Sequence, residues 1–150
     1  MQEGDEDYIT KTKLKPFFSS SCYSGFDAKE ANNFYQVYDQ LFRQLDKEEE
    51  MEEDVNVKHY DAPPFGPHYA CADDVFAFYD HWKHFTTSKQ FAYADLYNPK
   101  DAPNRRVKRI IEIENKKERQ KERQKFNEMV RELVEKIRDK DPRYKKFILI

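Results

Sequence analysis

Glycine is nearly missing from this chain, with three residues in 150. Tight hairpin turns draw on glycine for positive φ, so its scarcity argues against a β-rich fold. No Gly-rich phosphate loop and no nucleophile elbow is present. Cysteine is equally sparse. Cys22 and Cys71 are too few for a disulfide framework, and the Lys/Glu-rich remainder suits a reducing compartment. No apolar run approaches the roughly 20 residues that cross a bilayer. Residues 1–7 are acidic and polar, unlike a signal or transit peptide, and read as a disordered tail. Paired carboxylates occur only in acidic runs that read as solvated. These absences predict a soluble, cytoplasmic or nuclear, non-enzymatic chain with no cofactor and no membrane association.

What is present is charge and aromatic surface. Charged residues make up 37% of the chain and hydrophobic residues 38%, yet 15% is aromatic, with 12 Phe and 10 Tyr. Disordered chains are poor in aromatics. The expected fold is therefore all-α: a small aromatic-cored helical bundle with a long charged C-terminal helix. Charge is unevenly divided. Residues 1–100 hold 10 basic and 19 acidic groups, whereas residues 101–150 hold 17 basic and 10 acidic ones. That split marks an anion-binding arm, or else two halves that attract each other.

Several helices are legible along the chain. A short one, interrupted by Pro16, is expected within residues 8–18. Asp27 and Glu30 form a capping-box pattern ahead of Phe34, Tyr38, Leu41 and Leu45, an apolar stripe at helical spacing. The acidic run 46–54 reads as a solvated helix end or linker. Residues 59–72, with Pro63, Pro64, Gly66 and Pro67, read as a loop dividing an N-terminal helical part (8–58) from an aromatic part (73–100). Asp73 or Asp74 is expected to cap a short helix running to about Phe85. Its rings Phe78, Tyr79, Trp82 and Phe85 should join Phe34, Tyr38 and Leu41 in the core. His81 and His84, with Cys71 and His68 upstream, make a thin case for zinc, so no metal site is expected.

Residues 104–141 read as one helix, about 50 Å long at 1.5 Å per residue. Between Arg105 and Lys125 it carries ten Lys or Arg against four Glu, and no apolar side chain stands between Glu114 and Lys125. Val107, Ile110 and Ile111 offer a packing patch at its start, and Phe126, Val130, Leu133 and Ile137 offer another near its end. The middle, with nothing apolar to bury, should stand in water or lie on a partner. A cationic rod points to a polyanion. The plain alternative is a solvated helix laced by its own Glu–Lys pairs.

Four segments in order carry a resemblance: Phe34-Tyr35-x-Val37-Tyr38 with Phe42 and Asp46-Lys47-Glu48-Glu49; Phe78-Tyr79-x-x-Trp82-x-x-Phe85 leading to Phe91; Asn104-Arg105, Lys108-Arg109 and Glu114-Asn115-Lys116; and Asp141-Pro142-Arg143-x-Lys145-Lys146-Phe147. Together they resemble the zuotin-homology region of J-domain co-chaperones over about residues 8–147. With Cys22-Tyr23-Ser24-Gly25 ahead of the Phe34 helix, the chain looks most like the branch that matures the large ribosomal subunit in the cytoplasm. The family's J-domain carries a His-Pro-Asp tripeptide that stimulates a heat-shock ATPase chaperone. This chain holds no such tripeptide and none of the zinc fingers of that branch, so it reads as the middle piece of such a co-chaperone. The resemblance implies contact with ribosomal RNA of the large subunit, with Lys108, Arg109, Lys116, Lys117, Arg119, Lys121 and Arg123 at the matching positions. Arg105 and Lys125 extend that candidate set. Nothing in it reads bases, so phosphate and shape recognition is expected. A nuclear or nucleolar phase would accompany the cytoplasmic one. The rival expectations are a helical protein-interaction module and an architectural spacer of the same co-chaperone.

Overall fold

Asparagine, not aspartate, starts the helix that organises the core. A computed structural model describes residues 8–53 and 56–149, and the expected tail at 1–7 lies outside them. The helices are α1 (Lys11–Leu14), α2 (Phe34–Glu52), α3 (Ala72–Trp82), α4 (Arg105–Lys140) and α5 (Pro142–Ile148), with short 3-10 turns between them. No strand occurs among the described residues, and the fold is all-α around a buried aromatic cluster.

The cap of α2 lies six residues beyond the expected one. Asn33 Oδ1 accepts the N–H of Gln36 at 3.1 Å, and Gln36 Oε1 accepts the N–H of Asn32 at 2.9 Å. Asn32 sits at φ +57°, which stops any helix reaching back to Asp27. Asp27 instead closes a local turn by accepting the N–H of Lys29. Phe34, Tyr35, Tyr38, Leu41, Phe42 and Leu45 then line the buried face.

Helix α3 likewise has no aspartate cap. Cys71 holds the cap position without a side-chain bond, and Asp73 and Asp74 fall in the first turn, where they favour the positive end of the helix dipole. The helix stops at Trp82 rather than Phe85, yet Phe85 remains buried, stacked on Trp82 at 5.4 Å. The core expected from the aromatic spacing is present in full: Phe34, Tyr38, Leu41, Phe78, Tyr79, Trp82 and Phe85 are all buried.

The proline-rich loop contributes a wedge. Phe65 is buried among Phe34, Phe42 and Phe78, with centroids 5.7, 6.5 and 5.0 Å away. Side chains of α2 and α3 bond to the loop's backbone. Gly66 N–H donates to Asp39 Oδ1 at 3.1 Å, and Trp82 Nε1 donates to the Pro63 carbonyl at 3.2 Å.

The long helix ends at Lys140, and a further helix follows. Asp141 accepts the N–H of Arg143 and so caps α5, with Pro142 at its first position. Arg143 is buried. Its guanidinium lies on Asp141, donates to the carbonyls of Phe65 and Pro67 at 2.8 and 2.9 Å, and stacks over the Phe65 ring at 4.2 Å. Tyr79 Oη reaches the same carboxylate at 2.6 Å. Burial and the adjacent Asp141 charge drive the Tyr79 hydroxyl far above its ordinary pKa, so it stays a donor.

The acidic run does form the end of α2, with Lys47, Glu50 and Met51 exposed, but it is not solvated throughout. Glu48 and Glu49 are buried. Glu48 pairs with Lys89 at 2.6 Å and accepts the N–H of Ile9 at 2.9 Å. Glu49 accepts the hydroxyl of Thr87 at 2.7 Å and the N–H of Ser88 at 2.5 Å.

A candidate nucleic-acid interface

Every fourth residue of α4 from Asn115 to Arg131 grips the chain that precedes the helix. Residues 85–98 form a strap alongside the helix, broken by the 3-10 turn Ala92–Ala94, and five side chains meet it like rungs. Arg131 Nε donates to the Phe85 carbonyl at 2.7 Å. Asn127 Oδ1 accepts the N–H of Thr87 at 2.7 Å. Arg123 Nε donates to the Lys89 carbonyl at 3.2 Å. Arg119 forks onto both carboxylate oxygens of Asp95. Asn115 accepts the N–H groups of Leu96 and Tyr97 at 2.9 and 3.2 Å and donates to the Tyr97 carbonyl at 2.7 Å. Each step of four residues advances about 40° around the helix, so the five rungs sweep about 160° and the strap winds across the helix as it runs along it.

The ladder corrects the expectation of a suspended middle. Asn115 is buried, and Asn115, Glu122, Phe126, Val130, Leu133 and Ile137 lie on one continuous inward stripe with Arg119. Its upper positions are polar because the strap facing them presents backbone, which bonds to amides and guanidinium groups rather than to methyls. Glu122 also pairs with Lys11 at 2.8 Å, which holds its carboxyl below the ordinary value. The hydrogen bonds from Arg119 hold the Asp95 carboxyl low and raise the guanidinium in return. Two acid–base pairs thus join the acidic and basic parts of the chain directly.

The start of α4 also departs from expectation. Val107 and Ile111 are half-buried, but Ile110 and Ile113 are 52% and 51% exposed. The patch expected of Ile110 therefore faces water.

The nine candidate cations divide into two groups. Arg119 and Arg123 are half-buried and engaged in the ladder, so their charge is turned inward. Arg105, Lys108, Arg109, Lys116, Lys117, Lys121 and Lys125 are exposed, and Arg106 joins them. Lys117, Lys121 and Lys125 make one outward row, each 3.1–3.4 Å from the glutamate three residues earlier. Such exposed pairs exchange readily for a stronger anion, since each contributes only about 0.2–0.5 kcal/mol. A further cleft of about 340 Å³ lies between strap and helix, lined by Gln90, Asp95, Pro99, Lys116, Arg119 and Arg123.

Sequence reasoning missed Asn115, Asn127 and Arg131 as strap ligands. Asn115 and Asn127 are poor helix formers in the interior of a long helix, a signal that their amides have work outside it. His68, Cys71, His81 and His84 do not converge. Among the described residues, the group with metal-ligand spacing is Asp46, His59 and Asp61.

Comparisons with known proteins agree with this architecture. The family profile described as Zuotin-like, zuotin homology domain matches residues 33–145. DnaJ homolog subfamily C member 21 from Bos taurus is 42% identical over 110 residues, covering 71% of this chain and 20% of the relative. DnaJ homolog subfamily C member 2 from Rattus norvegicus is 30% identical over 164 residues, covering 98% of this chain and 25% of the relative. The Candida glabrata protein named Negative regulator of PDR1-mediated fluconazole resistance JJJ1 is 28% identical over 155 residues, 77% of this chain and 25% of the relative. The chain spans 20–25% of the length of these relatives. No solved structure matches it significantly. The matched segment takes in the aromatic core, the strap, α4 and the Asp141–Arg143 cap, and the chain belongs to the zuotin homology domain family of J-domain co-chaperones.

Proposed function

We propose that this module docks a J-domain co-chaperone on the large ribosomal subunit, through the outward cations of α4 and the phosphates of ribosomal RNA. Docking would bring the J-domain of the whole protein, and the heat-shock ATPase chaperone it recruits, to a factor awaiting release during cytoplasmic subunit maturation. The observation that carries this reading is the separation of roles on α4. Its inward cations bind the strap, and Arg105, Lys108, Arg109, Lys116, Lys117, Lys121 and Lys125 remain exposed on a helix that the strap holds in place. Cations that replace condensed counterions on RNA gain affinity through counterion release, with a salt slope of about 0.7–0.9 per phosphate contacted.

Sedimentation of the module with purified large subunits across a salt series tests this. The variant Arg109→Glu/Lys117→Glu/Lys121→Glu should lose binding in moderate salt and flatten the salt slope by about two to three. Equal binding by variant and parent rejects the RNA reading. A second reading rests on Ile110 and Ile113, whose exposure beside the cations suits a protein partner with an apolar, acidic face. In that case Ile110→Asp/Ile113→Asp abolishes binding, and the salt slope is shallower than several phosphate contacts would give.

A further inference from the structure

Three carboxylates converge on one imidazole where the end of α2 meets the segment after it. The His59 side chain is 10% exposed and lies close to the surface. Its Nε2 lies 3.3 Å from Asp46 Oδ2 and 3.9 Å from Asp61 Oδ1, and its Nδ1 lies 3.1 Å from Glu53 Oε1. Asp46 Oδ2 is fixed in turn by the N–H of Ala62 at 3.3 Å.

One of these separations, the Asp46–His59 hydrogen bond, also has the length of an edge of a coordination polyhedron. Nitrogen and oxygen donors about 2.0–2.2 Å from a tetrahedral zinc ion stand roughly 3.3–3.5 Å from one another. The Asp46–His59 separation meets that spacing as it stands. Asp61, whose side chain is 91% exposed, must swing inward to complete the set, since the three ligand atoms lie within 4.8 Å of one another rather than at contact spacing. Glu53 occupies the place that a carboxylate takes behind a ligating histidine. It receives the other ring N–H and so fixes the tautomer whose Nε2 lone pair faces the metal. One imidazole with two carboxylates suits zinc better than magnesium or calcium, which prefer oxygen alone. Beside the group lies a cavity of about 400 Å³, also lined by Asp80, His81 and His84, with room for a water ligand in the fourth position.

We propose that Asp46, His59 and Asp61 bind Zn²⁺, with Glu53 as the residue that orients His59. The ion would tie residues 59–61 to α2 immediately ahead of the Pro63–Phe65 wedge. It would also offset the mutual repulsion of the three carboxylates.

The test is zinc uptake by the whole chain in a Cys71→Ser background, which removes an exposed thiol. Competition with a chromophoric chelator measures affinity, and Co²⁺ in place of zinc reports geometry through its visible absorption. One ion per chain with micromolar affinity and tetrahedral cobalt bands is expected. Zinc at about a hundredfold excess over Kd should raise Tm by about 5–10 °C. His59→Gln and Asp61→Asn should each abolish uptake or weaken it at least about tenfold, and Glu53→Gln about tenfold. Asp61→Asn changes an exposed side chain and leaves the fold intact, so its result stands even where His59→Gln unfolds. No uptake, uptake undiminished in Asp61→Asn, or uptake lost only in His81→Gln/His84→Gln overturns the site.

Discussion

The Lys89 ammonium meets the Glu48 carboxylate at 2.6 Å, both side chains almost wholly out of water, across 41 residues of sequence. Four parts of the chain join there. The N–H of Ile9 shares the carboxylate, and the ammonium lies 5.0 Å from the centroids of Tyr8 and Phe126. Removing one charge strands the other. Lys89→Met should lower unfolding free energy by about 3–5 kcal/mol. Adding Glu48→Gln to that variant should recover part of the loss, because the stranded charge goes with it. Urea unfolding of both variants gives the comparison, and an unimproved double variant removes the stranded-charge explanation.

Arg143 is the second buried charge whose loss should be severe. Its guanidinium satisfies Asp141 and the carbonyls of Phe65 and Pro67 together. Arg143→Met is expected to cost about 3–5 kcal/mol, with Asp141 left buried and still held by Tyr79. Arg143→Lys should restore little of this, since an ammonium lacks the planar fork that reaches both targets. Thermal unfolding compares the two directly.

The ladder and the outward row predict opposite outcomes for equally polar changes on one helix. Asn115→Ala breaks three bonds to the strap and should cost about 1–3 kcal/mol. Lys121→Ala breaks one exposed pair and should lie within about 0.5 kcal/mol of the parent. Hydrogen exchange at Leu96 and Tyr97 should accelerate in the first variant and stay unchanged in the second.

Glu49 gives stability a pH signature. Burial lifts its carboxyl above the ordinary value of 4.5, against the pull of Thr87, Ser88 and Lys89, and Glu52 adds to the rise. The folded state therefore holds this proton more tightly than the unfolded chain. Its contribution should grow as pH falls from neutral through the raised pKa, then level off below 4.5. Asp95 and Glu122 act in the opposite sense, since their lowered values give stability that is lost at still lower pH. Urea midpoints at pH 7 and pH 5 should rise on acidification in the parent relative to Glu49→Gln. Equal shifts in both proteins exclude Glu49 as the source.

The parts of this fold legible in the sequence were those written in period and ring content. Phe34, Tyr38 and Leu41 repeat at helical spacing, and Phe126, Val130, Leu133 and Ile137 do the same, so both apolar faces could be placed. The polar burial was not legible. Glu48 and Glu49 stand in an acidic run like any solvated one, and only Lys89, Thr87 and Ser88, some forty residues away, make them interior groups. Arg119 and Lys117 are equivalent as letters, yet one faces the strap and the other water. The partner of a buried polar side chain is a remote piece of backbone, and no local pattern records which piece that will be. Phe65 was hidden differently. A proline-rich loop reads as surface, but its ring fills the space between α2 and α3.

The strap has a consequence for how the molecule meets an electric field. It fixes the roll of α4 about its own axis, so the outward charges have an assigned order. Lys117, Lys121 and Lys125 come first on that side, and Glu128, Glu132 and Glu135 follow two to three turns later. The helix N-terminus adds its own partial positive charge at the cationic end. Near a polyanion the two ends of this side feel opposite forces, which exert a torque as well as an attraction. The module would approach already turned, with the N-terminal, most basic stretch of α4 leading.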